Sequence, residues 1–310
     1  MKKKLLASAL LLLFLGVAFA PAAMAGGESG ARVTATTPKA SKCPRYPILL
    51  VHGAGFRDKT VGINYWGRIP KALEAQGAKV FYGGTDAWGT LETNAATLKK
   101  TIERILVETN SKKVNIIAHS KGGLECRYLI SALGIEHKIA SLTTISTPHR
   151  GSVMVEKLAN VPDWLYKGFS EVMNVVFGLQ GDDDPDFYNG SQSLTPAYME
   201  KFNAEHPDKK GVYYQSFAGY MEEPKNDIIL SVTSLASSKL EGENDGIVAV
   251  DSAKWANYGG VLQGANGRGV SHMDEVDFRR RDVAIKPVLG ATTVREFYIA
   301  VAADLAKRGY

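Results

Sequence analysis

The sequence predicts an α/β protein with a mostly parallel central sheet and helices on both faces. Apolar runs of strand length alternate with segments of helical periodicity between residues 46 and 151. Each run is almost continuously apolar, which is typical of parallel strands that are buried on both faces. The chain has 310 residues, of which 45% are hydrophobic and 22% are charged, and this composition fits one globular domain with an insertion.

The alternating elements can be taken in order along the chain. We predict strands at 47–51, 79–82, 114–117 and 139–145, and helices at 66–76, 93–109 and 124–133. Gly77 and Gly134 follow two of these helices and are expected to end them. Pro70 is tolerated only in the first turn of a helix, which favours a start later than Trp66.

The pattern changes after Gly151. Residues 152–210 contain no predicted strand, and apolar residues from Trp164 to Phe177 recur at helical spacing. Core packing is the usual role of such a stripe. Its position between two sheet strands, on the side where the strands end, also favours a mobile lid over a site. A strand at 211–218 and a terminal helix at 292–305 complete the prediction.

The N-terminus predicts export. Residues 1–25 read as a signal peptide, with a basic start at Lys2 to Lys4, an apolar segment at 5–19 and a small-x-small cleavage site at 23–25. The apolar segment is short for a membrane anchor, and no later stretch is long and apolar enough to span a bilayer. We therefore expect a secreted or periplasmic protein, with a flexible leader at 26–45 and the folded domain at 46–310.

Both cysteines lie in the exported part, where a disulfide is chemically permitted. Cys43 precedes His52 by nine residues, or ~30 Å of strand, whereas Cys126 lies six residues past Ser120, or ~9 Å of helix. If His52 and Ser120 share one edge of the sheet, the two sulfur atoms lie at different depths. We therefore expect two free thiols.

Charge gives little indication of a macromolecular partner. The formal net charge of +5 includes three lysines of the predicted signal peptide. The pair Lys112-Lys113 and the run Arg279-Arg280-Arg281 are typical of solvated faces. We expect no nucleic-acid partner, and the sequence leaves the oligomeric state open.

One serine stands between a predicted strand and a predicted helix. Ala118-His119-Ser120-Lys121-Gly122 is a variant of the G-x-S-x-G turn that presents a nucleophilic serine, with alanine in the first position. The small residues leave room for backbone close to the strained turn. A serine that merely caps the helix would give the same pentapeptide, so the interpretation depends on partners elsewhere in the chain.

An acyl-transfer serine needs a base, an acid and donors for the oxyanion. With this turn the usual order is serine, acid, histidine, and of the six histidines only His272 falls late enough. Asp245, in an Asp-Gly turn, is the preferred acid, with Asp227 and Asp251 as alternatives. The expected oxyanion donors are the backbone N–H groups of Lys121 and Ala54.

These residues give the chain a resemblance to a known family. It resembles the secreted bacterial triacylglycerol lipases of the α/β-hydrolase superfamily, including the Pseudomonas and Burkholderia enzymes. The matching segments are His52-Gly53-Ala54-Gly55, Ala118 to Gly123, Thr147 to Ser152, Glu243-Asn244-Asp245-Gly246 and Ser271 to Val276. The resemblance implies an α/β-hydrolase fold, the roles given above for Ser120, Asp245 and His272, the oxyanion amides of Ala54 and Lys121, and a helical lid at about 152–210.

The resemblance also implies partners and a metal. The substrate would be a lipid or another ester at an oil–water interface, and a dedicated folding helper is a candidate partner. The chemistry itself needs no cofactor. A structural calcium would use Asp274 and a second acid near Glu222, Glu223 or Asp227, unless Asp274 only caps its loop. No zinc site is expected, because the segment from Val51 to Val114 contains only one histidine, His52.

Three other functions remain open on the same fold. A short-chain esterase, a polyester hydrolase or an acyltransferase would use the same serine, acid and histidine. A non-catalytic binding protein would not need the complete set. The sequence therefore favours a carboxylic ester hydrolase.

Overall fold

The centre of the molecule is a six-stranded, wholly parallel sheet. The computed structural model describes residues 43–60, 63–159 and 162–310. Its strands are β1 (Ile48–Val51), β2 (Lys59–Thr60), β3 (Ile63–Asn64), β4 (Val80–Tyr82), β5 (Val114–His119), β6 (Ile139–Ile145), β7 (Tyr213–Tyr220), β8 (Asn257–Gln263), β9 (Ala284–Val288) and β10 (Ala291–Thr293). The order of strands in the central sheet is β4-β1-β5-β6-β7-β8.

Helices cover both faces of this sheet. They are α1 (Ile69–Glu74), α2 (Leu91–Thr109), α3 (Lys121–Ala132), α4 (Val153–Ala159), α5 (Asp163–Leu179), α6 (Phe187–Gln192), α7 (Pro196–Glu205), α8 (Ser231–Leu240), α9 (Val250–Ala253) and α10 (Val294–Lys307). Alternate residues of β1 point to opposite faces, so Leu50 packs with α1 and α10 and Leu49 packs with α2 and α3. The predicted α/β fold class is confirmed.

The later start expected for the first helix is confirmed, whereas one strand of the sheet was not predicted. Helix α1 begins at Ile69, with Pro70 in its first turn, because proline cannot donate within the helix. Strand β8 was not predicted, since Gly259 and Gly260 disfavour a strand. Gly259 is nevertheless required, because a Cβ at this position would lie 2.3 Å from the ring of Phe217 in β7.

The segment between β6 and β7 is helical, as predicted. Its described residues form α4, α5, α6 and α7 and contain no strand. Helix α5 differs from the expected single apolar stripe, because it is apolar on two faces. One face is buried and carries Tyr166, Met173 and Phe177. The opposite face is open to solvent and carries Trp164, Leu165, Val172, Val175 and Leu179.

The N-terminal predictions fall largely outside the described residues. The predicted signal peptide at 1–25 and most of the predicted leader at 26–45 lie there. Among the described residues, no helix has the length and apolar character needed to cross a membrane. Both cysteines are free thiols, as predicted, with Cys43 exposed and Cys126 buried in α3.

Candidate active site

Ser120 lies on a strained turn between β5 and α3. Its backbone has φ 54° and ψ −134°, outside the regions that non-glycine residues ordinarily occupy. A Cβ on Gly122 would lie 2.2 Å from the carbonyl oxygen of His52, and one on Gly123 would lie 2.1 Å from Oγ1 of Thr147. The small residues after the serine are therefore required by the loops that follow β1 and β6.

His272 contacts the preferred acid directly. Its Nδ1 lies 2.7 Å from Oδ2 of Asp245, and its backbone N–H donates to the carbonyl oxygen of Asp245 at 2.9 Å. The other carboxylate oxygen, Oδ1, accepts from the N–H groups of Ile247 at 2.9 Å and Val248 at 2.8 Å. Three of these contacts fix the carboxylate behind the imidazole, and the backbone contact joins the two residues directly.

The surroundings of Asp245 keep its carboxylate ionised. Burial alone would raise the pKa of Asp245, but His272 and the N–H groups of Val248 and Ile247 lower it below its ordinary value. The two alternative acids are engaged elsewhere. Asp227 pairs with Arg279, and Asp251 pairs with Lys254 at the surface.

Ser120 and His272 line one cavity of about 140 Å³. Its lining is almost entirely apolar and comes from the loops around Ser120 and His272 and from helices of the insertion. Met154 of α4, Tyr166 and Phe177 of α5, and Leu230 beside α8 form part of the wall. The described insertion therefore covers the space next to the serine, and such a space suits the hydrocarbon part of a ligand.

The backbone N–H groups of the loop after β1 differ in their hydrogen-bond partners. The N–H of Gly53 donates to the hydroxyl of Tyr65 at 2.9 Å, and that of Gly55 donates to the carbonyl of Ala87 at 3.3 Å. Within the described residues, the N–H of Ala54 has no protein acceptor, and Ala54 lines the cavity. The N–H of Lys121 is likewise free of protein acceptors in this part of the chain, at the start of α3.

The side chain of Lys121 connects two parts of the structure. It is fully buried, and its Nζ donates at 2.6 Å both to Oε1 of Glu125 and to the carbonyl oxygen of Gly89. Oε1 of Glu125 also accepts from Asn94 at 2.7 Å. The pair therefore joins α3 to the loop that places Trp88 in the cavity wall.

A buried chain of hydrogen bonds runs behind the cavity. The hydroxyl of Tyr65 lies 2.7 Å from Nδ1 of His119, and Nε2 of His119 lies 3.1 Å from Oε2 of Glu275. Burial raises the pKa of Tyr65, so its hydroxyl keeps its proton and donates to Nδ1. Burial lowers the pKa of His119 well below its ordinary value, so the neutral ring carries its proton on Nε2 and donates to Glu275.

Glu275 is the central acceptor of this chain. Its Oε1 accepts from the hydroxyl of Ser146 at 2.9 Å, and that hydroxyl oxygen accepts from the N–H of Gly219 at 2.9 Å. Burial and the nearby charge of Asp245 raise the pKa of Glu275 well above its usual range. A Cβ on Gly219 would lie 1.7 Å from Oε1 of Glu275, so only glycine fits there.

Sequence reasoning missed the role of Glu275 and its partners. The two imidazoles beside it, His119 and His272, lie with ring centroids 4.3 Å apart and ring planes tilted by 43°. His119, His272 and Glu275 together have the residue types of a metal site. His119 is hydrogen-bonded to Glu275 and His272 to Asp245, so the group forms part of a polar network.

The predicted calcium ligand lies among arginines. Oδ2 of Asp274 is 3.2 Å from Nη2 of Arg268, and Oδ1 is 3.8 Å from Nη1 of Arg279. Of the candidate second acids, Glu223 pairs with Lys225, Glu222 accepts from Gln263, and Asp227 binds Arg279. The prediction that the run 279–281 marks a solvated face is wrong for Arg279, whose side chain is 9% exposed. These residues do not fit a calcium site, because the guanidinium of Arg279 occupies the space between the carboxylates of Asp227 and Asp274.

Comparisons with known proteins agree with this geometry. A family model for the α/β-hydrolase fold matches residues 46–235. Triacylglycerol lipase 2 of Saccharomyces cerevisiae is 31% identical over 261 residues, which are 80% of this chain and 75% of the relative. A triacylglycerol lipase of Vibrio cholerae is 28% identical over 259 residues, which are 75% of this chain and 80% of the relative.

Solved structures show the same fold. A metagenomic carboxyl esterase superposes with a TM-score of 0.66 at 18% identity, covering 92% of this chain and 82% of its own. A lipase of Bacillus licheniformis gives a TM-score of 0.56 at 20% identity, covering 77% of this chain and 88% of its own. With the parallel sheet, the strained serine turn and these relatives together, the chain belongs to the α/β-hydrolase family and is a carboxylic ester hydrolase.

Proposed function

We propose that the protein is a secreted triacylglycerol lipase that uses Ser120, His272 and Asp245 as its catalytic triad. The observation that carries the proposal is the 2.7 Å contact between His272 and Asp245 beside an apolar cavity that Ser120 also lines. Both sequence relatives are named as triacylglycerol lipases, and these names support triacylglycerol as the substrate class.

The proposed reaction begins with proton transfer from Ser120 to Nε2 of His272. The serine oxygen attacks the ester carbonyl, and the resulting oxyanion accepts from the N–H groups of Ala54 and Lys121. His272 then protonates the departing alcohol, which leaves the acyl group on Ser120. Water, activated by the same imidazole, hydrolyses this acyl-enzyme. Asp245 stays ionised and holds the proton of Nδ1 throughout.

The acyl chain would lie in the apolar cavity. Its walls offer few polar groups, so they discriminate by shape and by removal of hydrocarbon from water. A polar acyl group would lose its hydration there without new hydrogen bonds. This favours fatty acyl esters over polar ones.

Helix α5 is proposed as a lid. Its inward face, with Tyr166 and Phe177, covers the cavity, while its outward face leaves Trp164 75% exposed and Leu179 84% exposed. An apolar outward face costs free energy in water and is stabilised against a lipid surface. Contact with an oil–water interface would therefore favour an arrangement of α5 that opens the cavity.

Export is the remaining part of the proposal. The basic, apolar and small-residue segments of residues 1–25 support a cleaved signal peptide. A secreted or periplasmic location would bring the enzyme to lipid outside the cytoplasm. N-terminal sequencing of the exported protein tests it, with a first residue near Gly26 expected and an intact Met1 contradicting it.

The decisive assay measures hydrolysis of p-nitrophenyl esters from acetate to palmitate and of emulsified triacylglycerol. We expect activity on long acyl chains and on the emulsion, abolished in Ser120→Ala. Activity confined to acetate and butyrate would replace the lipase by a short-chain esterase. Acyl transfer to an added alcohol in preference to water would make it an acyltransferase.

A further inference from the structure

Two buried carboxylates and one arginine form a compact cluster beside the loop that carries His272. Nη1 of Arg279 lies 2.5 Å from Oδ2 of Asp227, and Nη2 lies 2.8 Å from Oδ1, so both carboxylate oxygens are bound by one guanidinium. Oδ1 of Asp274 lies 3.8 Å from the same Nη1. Arg279 therefore stands between the two acids.

The cluster is balanced in charge without a metal ion. Arg268 binds the other oxygen of Asp274 at 3.2 Å, so two guanidinium groups face two carboxylates. Calcium needs about six to eight oxygen ligands at ~2.3–2.6 Å. Both oxygens of Asp227 are already engaged, and an arginine offers no acceptor to a cation. An ion could enter only by displacing Arg279.

One carboxylate oxygen of Asp274 depends on the positive charge of Arg279. Oδ1 of Asp274 is buried and has no hydrogen-bond partner among the described residues. The guanidinium of Arg279 lies 3.8 Å from this oxygen, beyond hydrogen-bond distance. A buried carboxylate oxygen without a donor is costly unless a positive charge lies near it. Arg279 supplies that charge to Asp274 while it binds Asp227.

The cluster connects two walls of the active-site cavity. Oδ1 of Asp227 accepts from the N–H groups of Ile229 at 3.2 Å and Leu230 at 3.3 Å, and both residues line the cavity. Asp274 lies two residues after His272, and its N–H donates to the carbonyl oxygen of Ser271 at 2.8 Å. Arg279 thus ties the wall at 229–230 to the turn that presents the imidazole.

A second arginine holds the far end of the same loop. Arg68 donates to Asp277 from Nε at 2.9 Å and from Nη2 at 2.7 Å, and its backbone N–H also donates to this carboxylate at 2.8 Å. The segment from His272 to Arg279 is therefore fixed by two bidentate arginine–aspartate pairs. Such pairs have a defined planar geometry as well as charge.

We propose that Arg279 is the built-in cation of the His272 loop, taking the place of a divalent ion between Asp227 and Asp274, so that the protein is stable and active without calcium. Arg279 is a positioning residue, since it acts on His272 through Asp274 and its turn. Only the effect on catalysis rests on the proposed lipase function, because the effect on stability needs no substrate.

The first test is thermal unfolding of the native protein in excess EDTA and in millimolar calcium. We expect the same melting temperature in both, within ~1 °C, because no ion that binds the folded state is removed or added. A melting temperature that falls with EDTA and recovers with calcium would overturn the proposal, whatever the variants do.

The second test is Arg279→Gln, which removes the charge and offers an amide oxygen beside the two carboxylates. We expect its melting temperature in EDTA to fall by at least ~4 °C and to recover with calcium, which would then bind between Asp227 and Asp274. The control Arg104→Gln loses an exposed pair with Glu108 and should stay unchanged in both buffers. A destabilised Arg279→Gln that ignores calcium would overturn the role of Arg279 as the substitute for an ion.

Kinetics separate positioning from stability. At a temperature where the variant is folded, Arg279→Gln in EDTA should lose about 10-fold in kcat with little change in KM, and Arg279→Lys should lose less. Calcium should restore kcat in Arg279→Gln but leave the native protein unchanged. Equal kcat in native protein and variant would remove the positioning role. Inactive native protein would instead contradict the lipase proposal and leave the melting result standing.

Discussion

The loops that carry the candidate catalytic residues and the helical insertion that covers them are held by different forces. Asp245, His272 and Glu275 lie in loops fixed by buried hydrogen bonds, many of them to backbone groups. Helix α5 rests on the molecule through the apolar side chains of Tyr166, Met173 and Phe177. Hydrogen bonds fix distance and direction, whereas apolar contacts are non-directional. The reacting groups are therefore fixed more tightly than their cover.

The C-terminal end of α5 is the exception to this contrast. Asp182 accepts from the N–H groups of Ala87 at 2.9 Å and Trp88 at 3.1 Å. In return, Asp86 accepts from the N–H groups of Asp183 at 2.9 Å and Asp184 at 2.8 Å. This reciprocal clamp attaches the C-terminal end of α5 beside the loop of Ala54. Any movement of α5 would consequently pivot near Asp182.

The largest effect on activity should come from substitutions of the candidate catalytic residues. Ser120→Ala, His272→Ala and Asp245→Asn should each lower kcat by about 10³-fold or more, because the members of the proposed triad would act as a unit. Combining two of these changes should cost little more than one. Steady-state kinetics on a monomeric ester, with circular dichroism to verify folding, measure this. Near-native activity of Asp245→Asn would show that the contact with His272 is not catalytic.

The second effect concerns the fit of Glu275. Gly219→Ala should lower the free energy of unfolding by about 3 kcal/mol, because the new methyl group overlaps a carboxylate that is buried on every side. Urea unfolding measures the loss. Gly168→Ala in α5 is the matched control, since a Cβ there meets no atom within 4 Å, and it should be neutral or stabilising. Equal stability of the two variants would contradict the tight fit at Glu275.

The third effect is a pH dependence of stability. The folded protein keeps the proton of Glu275 to a higher pH than the unfolded chain does, because burial raises the pKa of that group. The stability that this proton supplies is complete below the unfolded pKa and declines as the pH rises above it, by at most ~1.4 kcal/mol per pH unit.

Replacing this carboxyl group should remove its part of the pH dependence. Glu275→Gln cannot ionise, so the free energy of unfolding of the native protein, minus that of the variant, should decrease from pH 5 to pH 8. Urea unfolding across this range measures the difference. The exposed Glu108→Gln is the control and should run parallel to the native protein. Parallel curves for Glu275→Gln would contradict the raised pKa.

The smallest effect on activity should come from substitutions on the outward face of α5. Replacing Trp164 and Val172 with serine removes apolar area from the outward face of α5 and leaves its buried face intact. Hydrolysis of emulsified triacylglycerol should fall by about 3- to 10-fold, while hydrolysis of a dissolved acetate ester stays unchanged. Glu171→Ser, on the polar side of α5, serves as the control. An equal loss on both substrates would make α5 ordinary packing.

Local patterns explain why much of the sheet and the candidate residues could be predicted. Strand β6 coincides with the predicted 139–145, because a continuous apolar run is sufficient to indicate a buried strand. Ser120, Asp245 and His272 were chosen by motif and by order along the chain, and the structure brings the last two into contact. These inferences needed no knowledge of distant packing.

The features that were missed depend on residues far apart in sequence. Glu275 binds His119 and Ser146, which lie more than a hundred positions before it, so no local pattern reveals its role. Strand β8 was hidden because the reason for Gly259 is the ring of Phe217 in β7. Arg279 was predicted to be one of three solvated arginines, and its tertiary partner Asp227 distinguishes it from the other two.

The position of β1 in the sheet has a consequence for how the chain folds. Ile48 pairs with Val80 on one side and with Asn115 on the other, so β1 is complete only when both later strands are available. Pairings between distant segments slow folding, because a long loop must close before any contact is gained. Until then, the apolar edges of β1 are open to other chains. Refolding from denaturant should therefore be slow, and its yield should fall as the protein concentration rises.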